Sequence, residues 1–229
     1  MKFKNYLLAA ALLPVLFACN WESGNMPVLG SGLYGYYTFE GSAENVIDGA
    51  PDAVEMENPR YVEGLGDGEA IDLHNGSLRF SEPMIDGGSY TISFWAKDIN
   101  DGIVYSVESR NKWGIGFVLD LQRGVFYYAT DGYEYNYGMS TFYHKYLEEG
   151  WNMITVTSDY TPGVENAQIN LYINGSLVDT IYENGVGYQN VYYGEALLFQ
   201  GNMIIDNLRI YNEKVLKKNQ VKRIYDAEK

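Results

Sequence analysis

The stretch Gln168-Ile-Asn-Leu-Tyr-Ile-Asn-Gly-Ser-Leu-Val-Asp-Thr-Ile181 decides the fold class of this chain. Two β-prone runs flank Asn174-Gly175, the pair most typical of a two-residue type I′ turn, because both turn residues need a positive φ. Such a turn fixes the strand register. The predicted pairs are Ile173 with Ser176, Leu171 with Val178 and Ile169 with Thr180. One face of the hairpin then becomes apolar and the other half polar, which is typical of a sheet in a two-layer sandwich.

The same alternation of apolar and polar residues recurs from residue 33 onward. Strands are predicted at 33–39, within 70–80, and at 90–97, 103–108, 114–121, 125–130, 151–157, 168–181, 196–200 and 203–211. One helix is predicted over Asn212–Tyr225, with Asn212 as its N-cap. Basic helices can dock on membranes, but this helix is short, and a solvated face is the favoured interpretation. The pattern predicts an all-β sandwich with a short C-terminal helix.

The first eighteen residues have the features of an export signal. A basic start is followed by an apolar run from Tyr6 to Ala18 that is shorter than the ~20 residues of a spanning helix. Leu16-Phe17-Ala18-Cys19 resembles the lipobox of bacterial lipoproteins, which predicts lipidation of Cys19, the only cysteine in the chain. We therefore expect a signal peptide at 1–18, a lipidated tether at 19–32 and one domain at 33–229. This organisation implies a membrane-anchored lipoprotein, in the bacterial outer membrane.

The charge of the chain restricts its partners. The sequence has 30 acidic and 16 basic residues, and removal of 1–18 would take away Lys2 and Lys4, lowering the net charge from −14 to −16. Such a chain repels nucleic acid and anionic polysaccharide. Neutral or cationic ligands and divalent cations are compatible with it.

Several motifs occur in the order of one known family. They are Leu33-x-x-Tyr36-x-x-Phe39-Glu40-Gly41, Asp48-Gly49, Tyr90–Lys97, Gly150–Thr157, Leu171–Val178 and Ile205–Asn212. Together they resemble the laminin-G-like, concanavalin-A-like lectin/glucanase jelly-roll domain over about 33–226. The resemblance implies two curved antiparallel sheets, with Trp95 and Trp151 as packing residues. It does not imply one activity, because the family contains sugar binders, adhesive and protein-interaction modules, and some enzymes.

A metal site follows from the same resemblance. Many relatives hold a structural Ca²⁺ near the first and last strands, and the matching acids are Glu40, Asp48 and Asp206. Asp206 shares strand parity with the apolar Leu208 and Ile210, and a buried unpaired carboxylate needs donors or a cation. The alternative is that Asp206 accepts backbone N–H bonds or pairs with an arginine.

Catalysis is not predicted. Laminarinase-type relatives carry carboxylates at fixed spacing on one strand, and that motif is absent from the sequence. Carboxylates from separate strands could still form a pair, so a glycoside hydrolase is kept as the third hypothesis.

Tyrosines are the candidates for ligand recognition, because phenol rings stack on pyranose C–H faces while nearby polar groups bind hydroxyls. Nine aromatic residues lie in 126–146, and Tyr182, Tyr188, Tyr192 and Tyr193 form a looser cluster. The predicted ligand-binding residues are Trp113, Tyr133, Glu134, Tyr135, Asn136, Tyr137, Tyr143 and Tyr188. The favoured function is binding of a neutral glycan, and the alternative is a protein-interaction or adhesion module. These tyrosines could instead be packing residues of strands.

Overall fold

The computed structural model describes residues 30, 32–56, 60–74, 76–80, 82, 84–85, 89–106, 115–120, 124–130, 141–159, 166–184 and 197–229. The strands within these ranges are β1 Leu33–Tyr37, β2 Ala53–Met56, β3 Arg60–Glu63, β4 Glu69–Asp72, β5 Gly76–Phe80, β6 Tyr90–Ser106, β7 Ile115–Asp120, β8 Val125–Thr130, β9 Thr141–Phe142, β10 Asn152–Asp159, β11 Asn166–Ile173, β12 Ser176–Asn184 and β13 Leu197–Asn212. A 3₁₀ helix spans His144–Tyr146, and α1 spans Lys218–Glu228. The predicted all-β class with a short C-terminal helix is confirmed.

Two long strands, β6 and β13, connect two layers of antiparallel sheet. The N-terminal half of β6 and the C-terminal half of β13 belong to one layer, whose strand order is β12-β11-β10-β6-β13-β1. The other halves carry β7 to β9 on one side and β5 and β2 on the other. The pair β3 and β4 joins β13 between these regions, at Ile204 and Ile205.

A contact between two phenylalanines shows that β6 folds over itself. Val104 lies about ten residues after Phe94, which in a straight strand is about 33 Å. Phe199 is the backbone partner of Val104, yet the ring centroids of Phe94 and Phe199 are 5.0 Å apart. The two layers therefore face each other. The sequence predicted two separate strands in place of β6 and two in place of β13. Each is one continuous strand, because Gly102 and Gly201 lie opposite each other and glycine permits a tight bend within a strand.

The hairpin register was predicted correctly next to the turn and wrongly beyond it. Asn174 and Gly175 have φ of 49° and 73°, and Ile173 lies opposite Ser176. A β-bulge then shifts the register by one residue. The observed pairs are Leu171 with Asp179, Asn170 with Thr180 and Ile169 with Ile181. The extra residue lets the buried Ile169 and Ile181 share the core face, which a regular ladder would prevent.

The C-terminal helix begins later than the sequence predicted. Asn212 is the last residue of β13, where its N–H donates to the carbonyl of Gly32, and Glu213 has φ of 56°. The helix instead starts at Lys218 and covers the outer face of the first layer. Its apolar residues pack there in a second cluster, separate from the main core. The cluster contains Trp95, Met153, Tyr172, Tyr211, Leu216, Val221 and Ile224. Trp95 is buried, and Trp151 packs half-buried against this cluster, as predicted. Over the part of the chain that the structure describes, no helix is long and apolar enough to span a membrane.

Candidate functional site

The outer face of the first layer has two different halves. Alternate residues of β6, β10 and β11 point inward, among them Phe94, Ile154 and Leu171 of the main core. Their neighbours point outward. We call the part under α1 the covered half; it contains Trp95, Met153, Tyr172, Arg209 and Tyr211. We call the part along β11 and β12 the open edge; it contains Gln168, Asn170, Thr180 and Tyr182.

A row of hydrogen bonds organises the open edge. The Asn170 Oδ1 accepts from Gln168 Nε2 at 2.9 Å and from Thr180 Oγ1 at 2.8 Å, while Asn170 Nδ2 donates to Thr157 Oγ1 at 3.2 Å. Asn170 and Thr157 are buried, whereas Gln168 and Thr180 are half-buried. The amide and hydroxyl groups are thus held in fixed positions by a buried residue. Such preorganised polar groups cost little to orient when a ligand binds.

Tyr182 gives the open edge its aromatic surface. It lies directly opposite Gln168 on the strand pair, so the two side chains share a face with Asn170 and Thr180. Tyr182 is 60% exposed, and Leu177 on the same strand is 42% exposed. Among the described strands, β12 pairs with β11 alone and so ends the layer. An exposed ring beside fixed amide and hydroxyl groups has the chemistry of a sugar-binding surface.

The covered half is closed by a buried ion pair. Arg209 is 1% exposed, and its Nη2 forms a salt bridge to Glu228 of α1. Glu228 Oε2 also accepts from the indole Nε1 of Trp95 at 2.7 Å. The ring of Tyr225 stacks on Trp95 with centroids 5.7 Å apart, and Tyr36 lies under the guanidinium of Arg209. These contacts fix α1 on the sheet.

Asp206 lies beside this ion pair and not on the predicted core face. An irregularity after Asp206, with Asn207 at φ 48°, places Asp206 opposite Trp95, on the outer face. Its carboxylate accepts from the N–H groups of Leu65 at 2.8 Å and Asn207 at 2.6 Å. Burial raises the pKa of Asp206 to about 6; the two N–H bonds oppose this, and the charges of Glu40 and Glu228 add to it.

The three acids predicted to hold Ca²⁺ do not form one cluster. Glu40 accepts from the N–H of Glu69 at 3.1 Å, and Asp48 is exposed. No group of three or more His, Cys, Asp or Glu residues among the described ones is placed to hold a metal. The N–H bonds of Asp206 match the alternative of backbone donors. The residues present therefore fit a calcium site poorly as they stand, and Ca²⁺ remains a prediction.

Most of the predicted ligand-binding residues lie outside the described ranges. They are Trp113, Tyr133, Glu134, Tyr135, Asn136, Tyr137 and Tyr188, and Cys19 lies outside them as well. Tyr143 is described, and the assignment of an exposed role to it was wrong. It is 0% exposed, and its hydroxyl donates to the carbonyl of Asp120 at 3.1 Å, so it is a core residue. The sequence did not single out Gln168, Asn170 and Thr180; their signal was the polar alternation on the hairpin, which the bulge obscured.

The sequence matches no protein-family model and no curated protein. Solved structures do share its fold. One is a structure of botulinum neurotoxin type C, with a TM-score of 0.62 and 14% identity. Its description says that cell entry of this toxin depends on interaction with two ganglioside molecules. Binding domains of botulinum neurotoxin DC, in complex with SialylT and with rat synaptotagmin II, match with TM-scores of 0.60 and 0.59 and identities of 15% and 16%.

Each of these matches covers 86% of this chain and 51% of the toxin chain, so this chain spans about half the length of these structural neighbours. The likeness at this identity shows the fold, a β-sandwich, and no more. It is compatible with the jelly-roll expected from the laminin-G-like resemblance.

Proposed function

We propose that this chain is a non-catalytic domain that binds carbohydrate at the open edge, through the ring of Tyr182 and the polar groups of Gln168 and Thr180. The observation that carries the proposal is the 60% exposure of Tyr182 beside a hydrogen-bonded amide and hydroxyl row. The structural neighbours support it, because one is described by an interaction with two ganglioside molecules and another as a binding domain in complex with SialylT. The net charge of −14 favours a neutral glycan over an acidic one.

A panel of neutral and acidic glycans tests this proposal. We expect the protein to bind a neutral glycan, with an affinity that falls at least about tenfold in Tyr182→Ala, because the stacking surface is lost. Tyr182→Phe keeps the ring and should keep most of the affinity, which makes it the matched control. An unchanged affinity in Tyr182→Ala would reject the open edge. Tyr135→Ala tests in the same way the predicted aromatic face at 133–137.

The alternative is a protein-binding surface. Leu177 is 42% exposed on the same edge strand as Tyr182, and edge strands can pair with a segment of another chain. One structural neighbour is a complex with rat synaptotagmin II, a protein. No binding to any glycan, together with a protein partner that is lost in Tyr182→Ala, would establish this alternative. Release of reducing sugar would instead favour the third hypothesis, a glycoside hydrolase.

Membrane anchoring through Cys19 is the second part of the proposal, and the sequence pattern at 1–19 supports it. An exported protein acylated at Cys19 would remain in the bacterial outer membrane and present the sandwich to glycans there. Cys19→Ser should abolish labelling by palmitate and release the protein from a membrane fraction washed with about 0.5 M NaCl, which removes proteins held by charge alone. Membrane retention of the unlabelled Cys19→Ser protein would contradict an anchor at this residue.

A further inference from the structure

The C-terminal segment concentrates positive charge in an acidic protein. Residues 214–229 carry six of the 16 basic residues and only two of the 30 acidic ones. Asp226 is paired with Lys222 and Lys229, and Glu228 is buried against Arg209. Lys218 and Arg223 are exposed and make no ion pair with any described residue. The outer side of α1 is therefore a positively charged surface. We call it, together with the exposed Lys217 that precedes the helix, the basic face; its residues are Lys217, Lys218, Lys222 and Arg223.

The N-terminal tether enters the fold beside this segment. The carbonyl of Gly32 accepts from the N–H of Asn212 at 3.0 Å. A Cβ atom on Gly32 would lie 2.9 Å from the Cβ of Lys214, so the two backbones are in close contact. Twelve residues separate Cys19 from Gly32, and a random-coil segment of that length spans about 20 Å. A lipid on Cys19 would consequently hold the start of the basic segment close to the bilayer.

We propose that the basic face of α1 docks on anionic phospholipid headgroups of the membrane that holds the chain. This inference rests on the lipid anchor of the proposed function. The negative charge of the rest of the domain does not prevent docking, because the Debye length of about 8 Å screens charges on its far side. Each lysine or arginine near such a surface strengthens partition by about fivefold.

Docking in this orientation leaves the open edge accessible. The hairpin turn lies against α1, since a Cβ atom on Gly175 would be 2.9 Å from Lys222 Cδ. Tyr182 is seven residues further along β12, which is about 20 Å in an extended strand. Because α1 and the ring of Tyr182 lie on the same outer face, the helix, about 10 Å across, would hold the sheet off the bilayer and leave a gap through which a glycan could reach Tyr182.

The first test couples the thiol of Cys19, in the chain from residue 19 onward, to a maleimide lipid in vesicles. Acetylation of each lysine is then followed by mass spectrometry. With about 30% phosphatidylglycerol we expect Lys218 and Lys222 to react at least about fivefold more slowly than on pure phosphatidylcholine vesicles, and we expect about 0.5 M NaCl to remove the difference. Lys145, exposed on another element, is the internal control. Equal reactivity on both vesicles would overturn the proposal. Because the coupling is synthetic, this result does not depend on native acylation or on glycan binding.

The second test uses the same chain with the Cys19 thiol blocked, and measures its sedimentation with the anionic vesicles. Lys218→Glu combined with Arg223→Glu should weaken binding by more than about 20-fold. Arg60→Glu combined with Lys145→Glu changes the net charge equally at two exposed residues elsewhere, and should weaken binding by less than about threefold. Equal losses in both double variants, or no sedimentation of the unmodified chain, would contradict docking through α1.

Discussion

The covered half and the open edge belong to the same face of the same sheet, and they differ in what completes them. In the covered half α1 buries Trp95 and Arg209, and both the indole N–H and the guanidinium are bound to Glu228. At the open edge Asn170 is buried and hydrogen-bonded, but the ring of Tyr182 beside it is exposed to solvent. The covered half accounts for stability, and the open edge is where a ligand can complete the surface.

The first prediction tests the closure of the covered half. Arg209→Ala leaves the carboxylate of Glu228 without its positively charged partner at a nearly water-free position, so we expect the free energy of unfolding to fall by about 3–5 kcal/mol. Urea denaturation measures this loss. Lys222→Ala is the control, because it removes an ion pair to Asp226 whose side chains are 46% and 44% exposed. Solvent screens such an exposed pair, so its loss should change stability far less than the loss of Arg209. Similar losses in both variants would mean that Arg209 does not stabilise the covered half.

The second prediction concerns the pH dependence of stability that arises from Asp206, at the boundary of the covered half. Its pKa is raised to about 6 in the folded protein, whereas an unfolded aspartate has about 3.9. The unfolded chain therefore loses this proton first, and stability should fall as pH rises from about 4 to about 6. The expected contribution is up to about 3 kcal/mol, measured by denaturation in the presence of a chelator.

Asp206→Asn removes this titration, so the difference between the two pH profiles isolates the contribution of Asp206. The same profile tests the predicted calcium site. Ca²⁺ bound at Asp206 would raise the melting temperature at pH 7.5, and a chelator would lower it. Identical melting curves with Ca²⁺ and with chelator would remove the site. Parallel pH profiles of the two proteins would contradict the raised pKa.

The third prediction addresses the turn that positions the open edge. Asn174 has a positive φ, its Oδ1 accepts from the N–H of Met153 at 2.9 Å, and its Nδ2 donates to Asn152 Oδ1 at 3.0 Å. Asn174→Ala should cost about 2 kcal/mol through backbone strain and two lost hydrogen bonds. Asn174→Gly relieves the strain and should cost about half as much. Equal stability of both variants and the wild type would show that the turn is held by its neighbours.

The sequence was sufficient for the fold class, because alternation and the Asn174-Gly175 turn are local signals. It was insufficient for features that depend on contacts between distant residues. Gly102 and Gly201 look like strand breaks in sequence, and only their mutual pairing shows that they bend continuous strands. The bulge at Val178 is also invisible locally, because its reason is the pairing of Ile169 with Ile181 in the core.

The candidate site was less predictable for the same reason. Composition identified tyrosines as binding candidates but did not separate Tyr143, which fills the core, from Tyr182, which is exposed. Asp206 was recognised as unusual, but its partners Leu65 and Asn207 follow from a loop contact and an irregular strand. Exposure and partners of a side chain are properties of the packed sandwich, and local sequence does not encode them.

The most direct test of the account compares Tyr182→Ala with Tyr225→Ala in two measurements, the affinity for the tightest-binding glycan of the panel and the free energy of unfolding. We predict that Tyr182→Ala loses at least about tenfold in affinity while its stability changes by less than about 0.5 kcal/mol. Tyr225→Ala, which removes the ring stacked on Trp95, should lose at least about 1.5 kcal/mol of stability and keep its affinity. Full glycan affinity in Tyr182→Ala, or loss of affinity in Tyr225→Ala alone, would contradict the division of this face into a structural half and a binding half.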